Sequence, residues 1–190
     1  MAIKRFLIDG FGQVELNQVA FRRDGRIEAQ CALDADDFAT VSAENGMLLA
    51  VDNTTRTIKL PEADTLLPIA LNYTTEHMYD DRKNALKDFK LDIADGFYPR
   101  LGYLAVGDKF TTNCLSYSDN DFVAGSGVTA EQKVAEAYAA GTTLYGSAHT
   151  DGTILISKTA PEASVVLMAV KGTGTMPDGQ FGIKFQVIKA

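Results

Sequence analysis

The sequence predicts a mainly β protein whose antiparallel hairpins form β-barrel or sandwich-like modules, with two short helices. Three observations carry that prediction. Apolar residues recur at every second position in short runs, the period of a half-buried strand. Turn formers bound those runs at Asp24-Gly25, Gly107-Asp108, Asp151-Gly152 and Pro177-Asp178-Gly179. Helical spacing is confined to 79–91 and to a segment beginning at Thr129.

Taken in order, Val14 and Leu16 share one parity while Val19 and Phe21 share the other. A β-bulge around Asn17-Gln18 accounts for the slip of phase. Asp24-Gly25 then reads as a two-residue hairpin turn, because Gly accepts the positive φ of a type I′ turn. Ile27, Ala29, Cys31 and Leu33 alternate with Arg26, Glu28 and Gln30, which puts Cys31 on the apolar face. Met47, Leu49 and Val51 form one arm of a second hairpin and Ile58 and Leu60 the other, with Asp52-Asn53-Thr54-Thr55 turning and Pro61 stopping it. An apolar run at 66–71 makes a further strand despite Pro68.

The segment 79–91 predicts the first helix. Asp80 and Asp81 suit its positive end and Lys87 and Lys90 its negative end, and Arg82, Leu86 and Phe89 fall near one face. The Phe97-Tyr98-Pro99 segment marks a junction, giving an N-terminal β-rich module at 1–96, with the helix near its end, and a C-terminal β-barrel-like module at 97–190. In the latter, 101–106 and 109–115 read as strands around Gly107-Asp108, and 116–127, small and polar, as a surface loop. Thr129-Ala130-Glu131-Gln132 has the capping-box pattern, Val134, Ala135 and Tyr138 follow at helical spacing, and Gly141 closes the helix. Runs at 144–149 and 153–157 make a third hairpin, and 165–170 with 183–188 a fourth.

The chain's 190 residues suffice for a self-sufficient core. Hydrophobic residues are 46% and charged ones 23%, which places the chain among ordinary globular proteins rather than disordered ones. The formal net charge of −7 repels phosphate backbones, and no Lys/Arg cluster exceeds Arg22, Arg23 and Arg26, so nucleic acid is a poor direct partner. Residues 1–95 hold 11 Lys/Arg and 17 Asp/Glu, against 7 and 8 in residues 96–190. A half so poor in charge either forms the larger core or covers surface through a subunit contact. No apolar run reaches a membrane span, and the apolar run at 3–8, interrupted by Lys4 and Arg5, is too short for a signal peptide. Cys31 and Cys114 therefore read as two buried free thiols of a reducing compartment. The glycosylation triplets at Asn53 and Asn72 read as chance matches.

Catalytic, metal and cofactor constellations are not discernible. His77 and His149 are the only histidines, and either could serve Cys114 as a base in space. No nucleophile signature surrounds Cys114. A zinc site from Cys31, His77, Cys114 and His149 lacks the closely spaced ligand pairs that structural zinc uses. Asp34, Asp36 and Asp37 open like a calcium loop, but Phe38 stands where an oxygen ligand is needed and Ala39 where Gly is needed. Asp119-Asn120-Asp121 lacks the Gly and the distal Glu; both stretches read as solvated acidic loops. Gly172-Thr173-Gly174-Thr175-Met176-Pro177 lacks a following helix, and reads as a hairpin connection rather than a phosphate loop. With no Trp and scattered Tyr, stacking sites for sugar rings are not evident.

Three runs carry a family likeness: Gly107-Asp108-Lys109-Phe110-Thr111-Thr112-Asn113, Asp151-Gly152-Thr153-Ile154-Leu155-Ile156-Ser157, and the closing stretch from Met176-Pro177-Asp178-Gly179-Gln180-Phe181 to Gly182-Ile183-Lys184-Phe185-Gln186-Val187-Ile188. Over this half the chain resembles structural proteins of tailed-bacteriophage virions, most of all small capsid decoration (cement) proteins. The resemblance implies a non-enzymatic β-barrel-like protein, made in the host cytoplasm, that docks on major capsid protein at the capsid surface and stabilises the head. It carries no catalytic, cofactor or metal residues, and leaves a homo-oligomer open. A neck or tail component and a small-ligand-binding β-domain are the alternatives.

Overall fold

The computed structural model describes residues 2–63, 65–74, 90–122 and 127–190. Strands account for 39% of the structure and helix for 11%, so the protein is mainly β, with a strongly curled half-barrel sheet and further sheets beside it. The strands are β1 (Ile3–Arg5), β2 (Val14–Gln18), β3 (Ile27–Glu28), β4 (Ala32–Leu33), β5 (Ala43–Glu44), β6 (Leu48–Asp52), β7 (Thr57–Lys59), β8 (Ile69–Asn72) and β9 (Lys90–Leu91) in the first half. The second half supplies β10 (Leu101–Tyr103), β11 (Lys109–Thr112), β12 (Leu115–Ser118), β13 (Tyr145–Ala148), β14 (Ile154–Ser157), β15 (Val166–Thr175) and β16 (Phe181–Lys189). Among the described residues two α-helices are present, α1 (Ala20–Asp24) and α2 (Ala130–Ala139).

The half-barrel has the order β1-β12-β14-β13-β15-β16-β11-β2, and a six-stranded sheet runs β3-β10-β8-β6-β7-β4. A small β5-β9 pair completes the set. Strands cross the expected 96/97 junction in both directions. β1 and β2 join the second-half sheet, while β10 pairs with β8 and β3 of the first half.

Two cores lie on opposite faces of the six-stranded sheet. Leu48 and Ala50 of β6 and Ile69 and Leu71 of β8 pack with Phe110, Ile154, Leu167 and Phe185 of the half-barrel. Leu49, Val51 and Ala70, at the alternate positions, pack with Cys31, Leu33, Phe38, Ile58 and Leu91. Alternation by two sends successive side chains to opposite faces, so a strand buried on both sides must be apolar throughout. That is why β6 reads Leu-Leu-Ala-Val before its closing Asp.

Several sequence expectations hold in detail. The β6–β7, β13–β14 and β15–β16 hairpins form as antiparallel pairs. Thr129 caps α2 with the reciprocal Gln132 hydrogen bonds of a capping box, and Gly141 adopts φ 82° just beyond the helix. The β2 bulge is real. Lys109 faces Gln18 while Thr111 faces Glu15, which leaves one extra residue in β2.

Others are corrected. Asp24-Gly25 is not a hairpin turn; it ends α1, with Gly25 at φ 69° as its left-handed cap. Phe21 is therefore helical and fully buried, its ring against Gly102 of β10. The alternating run at 27–33 splits into β3 and β4, which pair with different neighbours. The stretch 109–115 breaks at Asn113. Residues 116–118, expected in a loop, lie in β12 with Ser116 fully buried. Residues 172–175 continue β15 instead of linking strands. Of the segment 79–91, residues 79–89 lie outside the described residues, and Lys90-Leu91 form β9.

Candidate functional site

Two of the candidate residues, Cys114 and His149, lie at a partly buried polar cluster where the sheets meet. β1 ends at Arg5 and β5 at Glu44, and their side chains meet in a bidentate pair, Nη1 to Oε1 at 3.2 Å and Nη2 to Oε2 at 2.6 Å. The Gly12 amide donates to the same carboxylate at 2.5 Å, and Lys90 Nζ lies 3.8 Å from it. Arg5 Nη2 stands 3.9 Å from Cys114 Sγ. Burial works against the guanidinium charge, but the Glu44 bonds outweigh it and Arg5 is held more firmly protonated than usual.

Cys114 is wholly buried, and burial pushes its thiol up to about 12 despite the nearby Arg5 charge. A thiol protonated this firmly at neutral pH is a poor nucleophile. Cys31 lies in the same core as Cys114, its thiol pushed up to about 11 by burial, and both cysteines are free.

His149 and Asp151 occupy the β13–β14 turn. His149 Nδ1 is 2.8 Å from Asp151 Oδ1, and Thr153 donates to that oxygen from its backbone N at 2.9 Å and from Oγ1 at 2.6 Å. Thr153 Oγ1 also lies 2.8 Å from Ser116 Oγ in β12. Burial raises the Asp151 carboxyl, but the Thr153 and His149 bonds prevail and keep it ionised below its usual range. Asp151 also exerts its charge on Arg5 and Cys114. His77 lies outside the described residues. Arg5, Glu44 and Thr153 carry no motif in the sequence, and an Arg beside a strand end is the one local signal of the first.

The other candidates resolve as structural devices. Asp34 Oδ1 accepts the Asp36 and Asp37 amides, and Asp37 Oδ2 accepts Leu60 N at 2.8 Å, so this acidic run closes a turn against β7. Asp119 pairs with Lys4 at 2.9 Å. Gly172 lies under the Tyr138 ring, whose hydroxyl donates to the Val170 carbonyl at 2.8 Å, so the missing side chain lets α2 pack on β15. Asn72 is fully buried and donates to the Glu44 carbonyl. Among the described residues no group of three or more His, Cys, Asp or Glu is placed to hold a metal ion, and no helix is long and apolar enough to cross a membrane.

A second site is a surface groove of about 550 Å³ lined by residues 11–16 and 176–178 with Arg22 and Asn45. It follows β2, the strand at one end of the half-barrel sheet. The segment before β2 is fixed there by side chains. Gln180 bonds Asp9 through both its backbone groups, and Gln13 bonds Asp178.

No protein-family model, curated protein or solved structure matches this chain.

Proposed function

We propose that this protein is a non-enzymatic structural component of a tailed-phage particle, a decoration protein that binds major capsid subunits and stabilises the assembled head. The reading rests on the resemblance, read from the sequence, of the runs at 107–113, 151–157 and 176–188 to such proteins. Those runs coincide with β11, β14 and the β15–β16 turn with β16, all within the half-barrel. The reading is also supported by the cluster chemistry. Arg5 and Glu44 pair with each other, the Gly12 amide donates to Glu44, and the Cys114 thiol is held protonated, which suits a rigid clasp better than a reaction centre. A protein that binds only the assembled shell stabilises it by mass action and requires no chemistry.

The test is to band particles from a lysate on a density gradient and to quantify this chain against the major capsid protein. A constant ratio in DNA-filled heads that falls in empty precursors supports decoration. A copy number of a few per particle moves the protein to the neck or tail. Absence from particles discards the virion reading and leaves ligand binding as the function to pursue.

A further inference from the structure

We infer that the groove along β2 binds an extended segment of a partner chain, apolar residues interspersed with Lys or Arg, which adds to the half-barrel as a further strand. Among the described residues β2 pairs with β11 alone, and no described strand lies along its other edge. Successive side chains of a strand point to opposite faces. A groove lined by Val14, Glu15 and Leu16 in succession therefore runs along the backbone edge rather than across a face. Open edges offer unpaired N–H and C=O groups to an incoming strand, and flanking pockets read its side chains.

The lining sets the chemistry of the guest. Half-buried Phe11 and Leu16 supply apolar wall over buried Val14 and Met176, and Glu15 and Asp178 supply exposed carboxylates against one cation, Arg22. Asp9 stands beside them, tied to Gln180. Bonding from the Gln180 amide holds Asp178 below the usual carboxylate range, so it keeps its charge. An alternating Lys/apolar strand matches this pattern on both counts.

A second copy of this chain matches it poorly. Pairing β2 with its own copy would set two acidic rims against each other. The inference does not require the partner to be a capsid subunit, so it stands or falls apart from the proposed function.

The experiment uses the full chain and a fluorescein-labelled ten-residue peptide alternating Lys and Val, followed by anisotropy, with amide hydrogen exchange of the protein. Saturable binding is expected, with slowed exchange at residues 14–16. Combined Glu15→Lys and Asp178→Lys substitutions weaken it by about tenfold, and Arg22→Glu tightens it. A peptide N-methylated at alternate residues, which leaves the protein untouched, loses binding because it cannot complete the ladder. Lack of saturation at millimolar peptide would overturn the inference. So would binding indifferent to N-methylation without protection of β2, which is charge attraction alone. Protection of β2 that rises with protein concentration in the absence of peptide would make a second copy the occupant, and would overturn it equally.

Discussion

The Arg5 guanidinium and the Glu44 carboxylate meet end-on across two sheets, through Nη1 and Nη2, with a short Nη2–Oε2 contact of 2.6 Å. Glu44 is the more buried partner, its side chain 7% exposed against 33% for Arg5. Removing one member of such a pair strands the other in low dielectric, and the cost follows the burial of the group left behind.

Arg5→Ala, which leaves the buried carboxylate with Gly12 and Lys90 as partners, is expected to cost about 3–5 kcal/mol. Glu44→Gln, which leaves a third-exposed guanidinium, is expected to cost less, about 1–3 kcal/mol. Urea unfolding of both variants gives the order. A larger loss for Glu44→Gln would contradict the account.

The cysteines make stability fall in alkali. Their ordinary pKa of about 8.5 in the unfolded chain rises on folding to about 11 for Cys31 and about 12 for Cys114. Between those limits the folded state holds more protons than the unfolded one. The stabilisation is thus fully present below about 8.5 and is lost as pH rises through the folded values. Urea midpoints measured from pH 8 to 11 should decline, and Cys114→Ala should flatten the slope. In the native protein at neutral pH both thiols should resist iodoacetamide until denaturant is added, which mass spectrometry reads directly.

Asp108 caps α1 from a distance. Its Oδ1 accepts the Ala20 amide at 2.8 Å and its Oδ2 the Ala105 amide at 2.9 Å, while the helix's own N-cap, Val19, has no capping side chain. Asp108→Ala should cost about 2 kcal/mol and speed exchange of the α1 amides well beyond those of α2. Equal protection of both helices would show that the cap is not needed.

Gly102 makes room for Phe21. A Cβ at Gly102 would lie 2.5 Å from three carbons of the Phe21 ring. Gly102→Ala is expected to cost about 3 kcal/mol through overpacking. Adding Phe21→Leu should recover part of that loss, and a double-mutant cycle in urea measures the coupling. Additive losses would mean that the ring does not occupy this position.

Elements whose signals are local were legible in the chain. Thr129 and Gln132 are three residues apart and cap α2 by their own hydrogen bonds. Asp52 accepts the Thr54 and Thr55 amides and so turns β6 toward β7 without outside help. The third and fourth hairpins, the β2 bulge and the burial of both cysteines were equally legible, because the alternation of side chains and the turn residues act within a few positions.

Long-range packing settled the remaining elements. Asp24-Gly25 serves a hairpin or a helix end equally well, since both need positive φ at Gly. The choice fell to Asp108, 88 positions from Ala20, and to the space above Gly102. The polar run at 116–118 became a buried strand because Ser116 could reach Thr153 and β12 could pair with both β1 and β14. The clasp of Arg5 and Glu44 spans 39 positions and leaves no periodic trace. Local hydrogen bonding and alternation fix what a segment prefers, whereas burial energy depends on which distant surface it meets. That is why the hairpins could be read from the chain, while α1, the exchange of strands between sheets and the polar cluster arose only on folding.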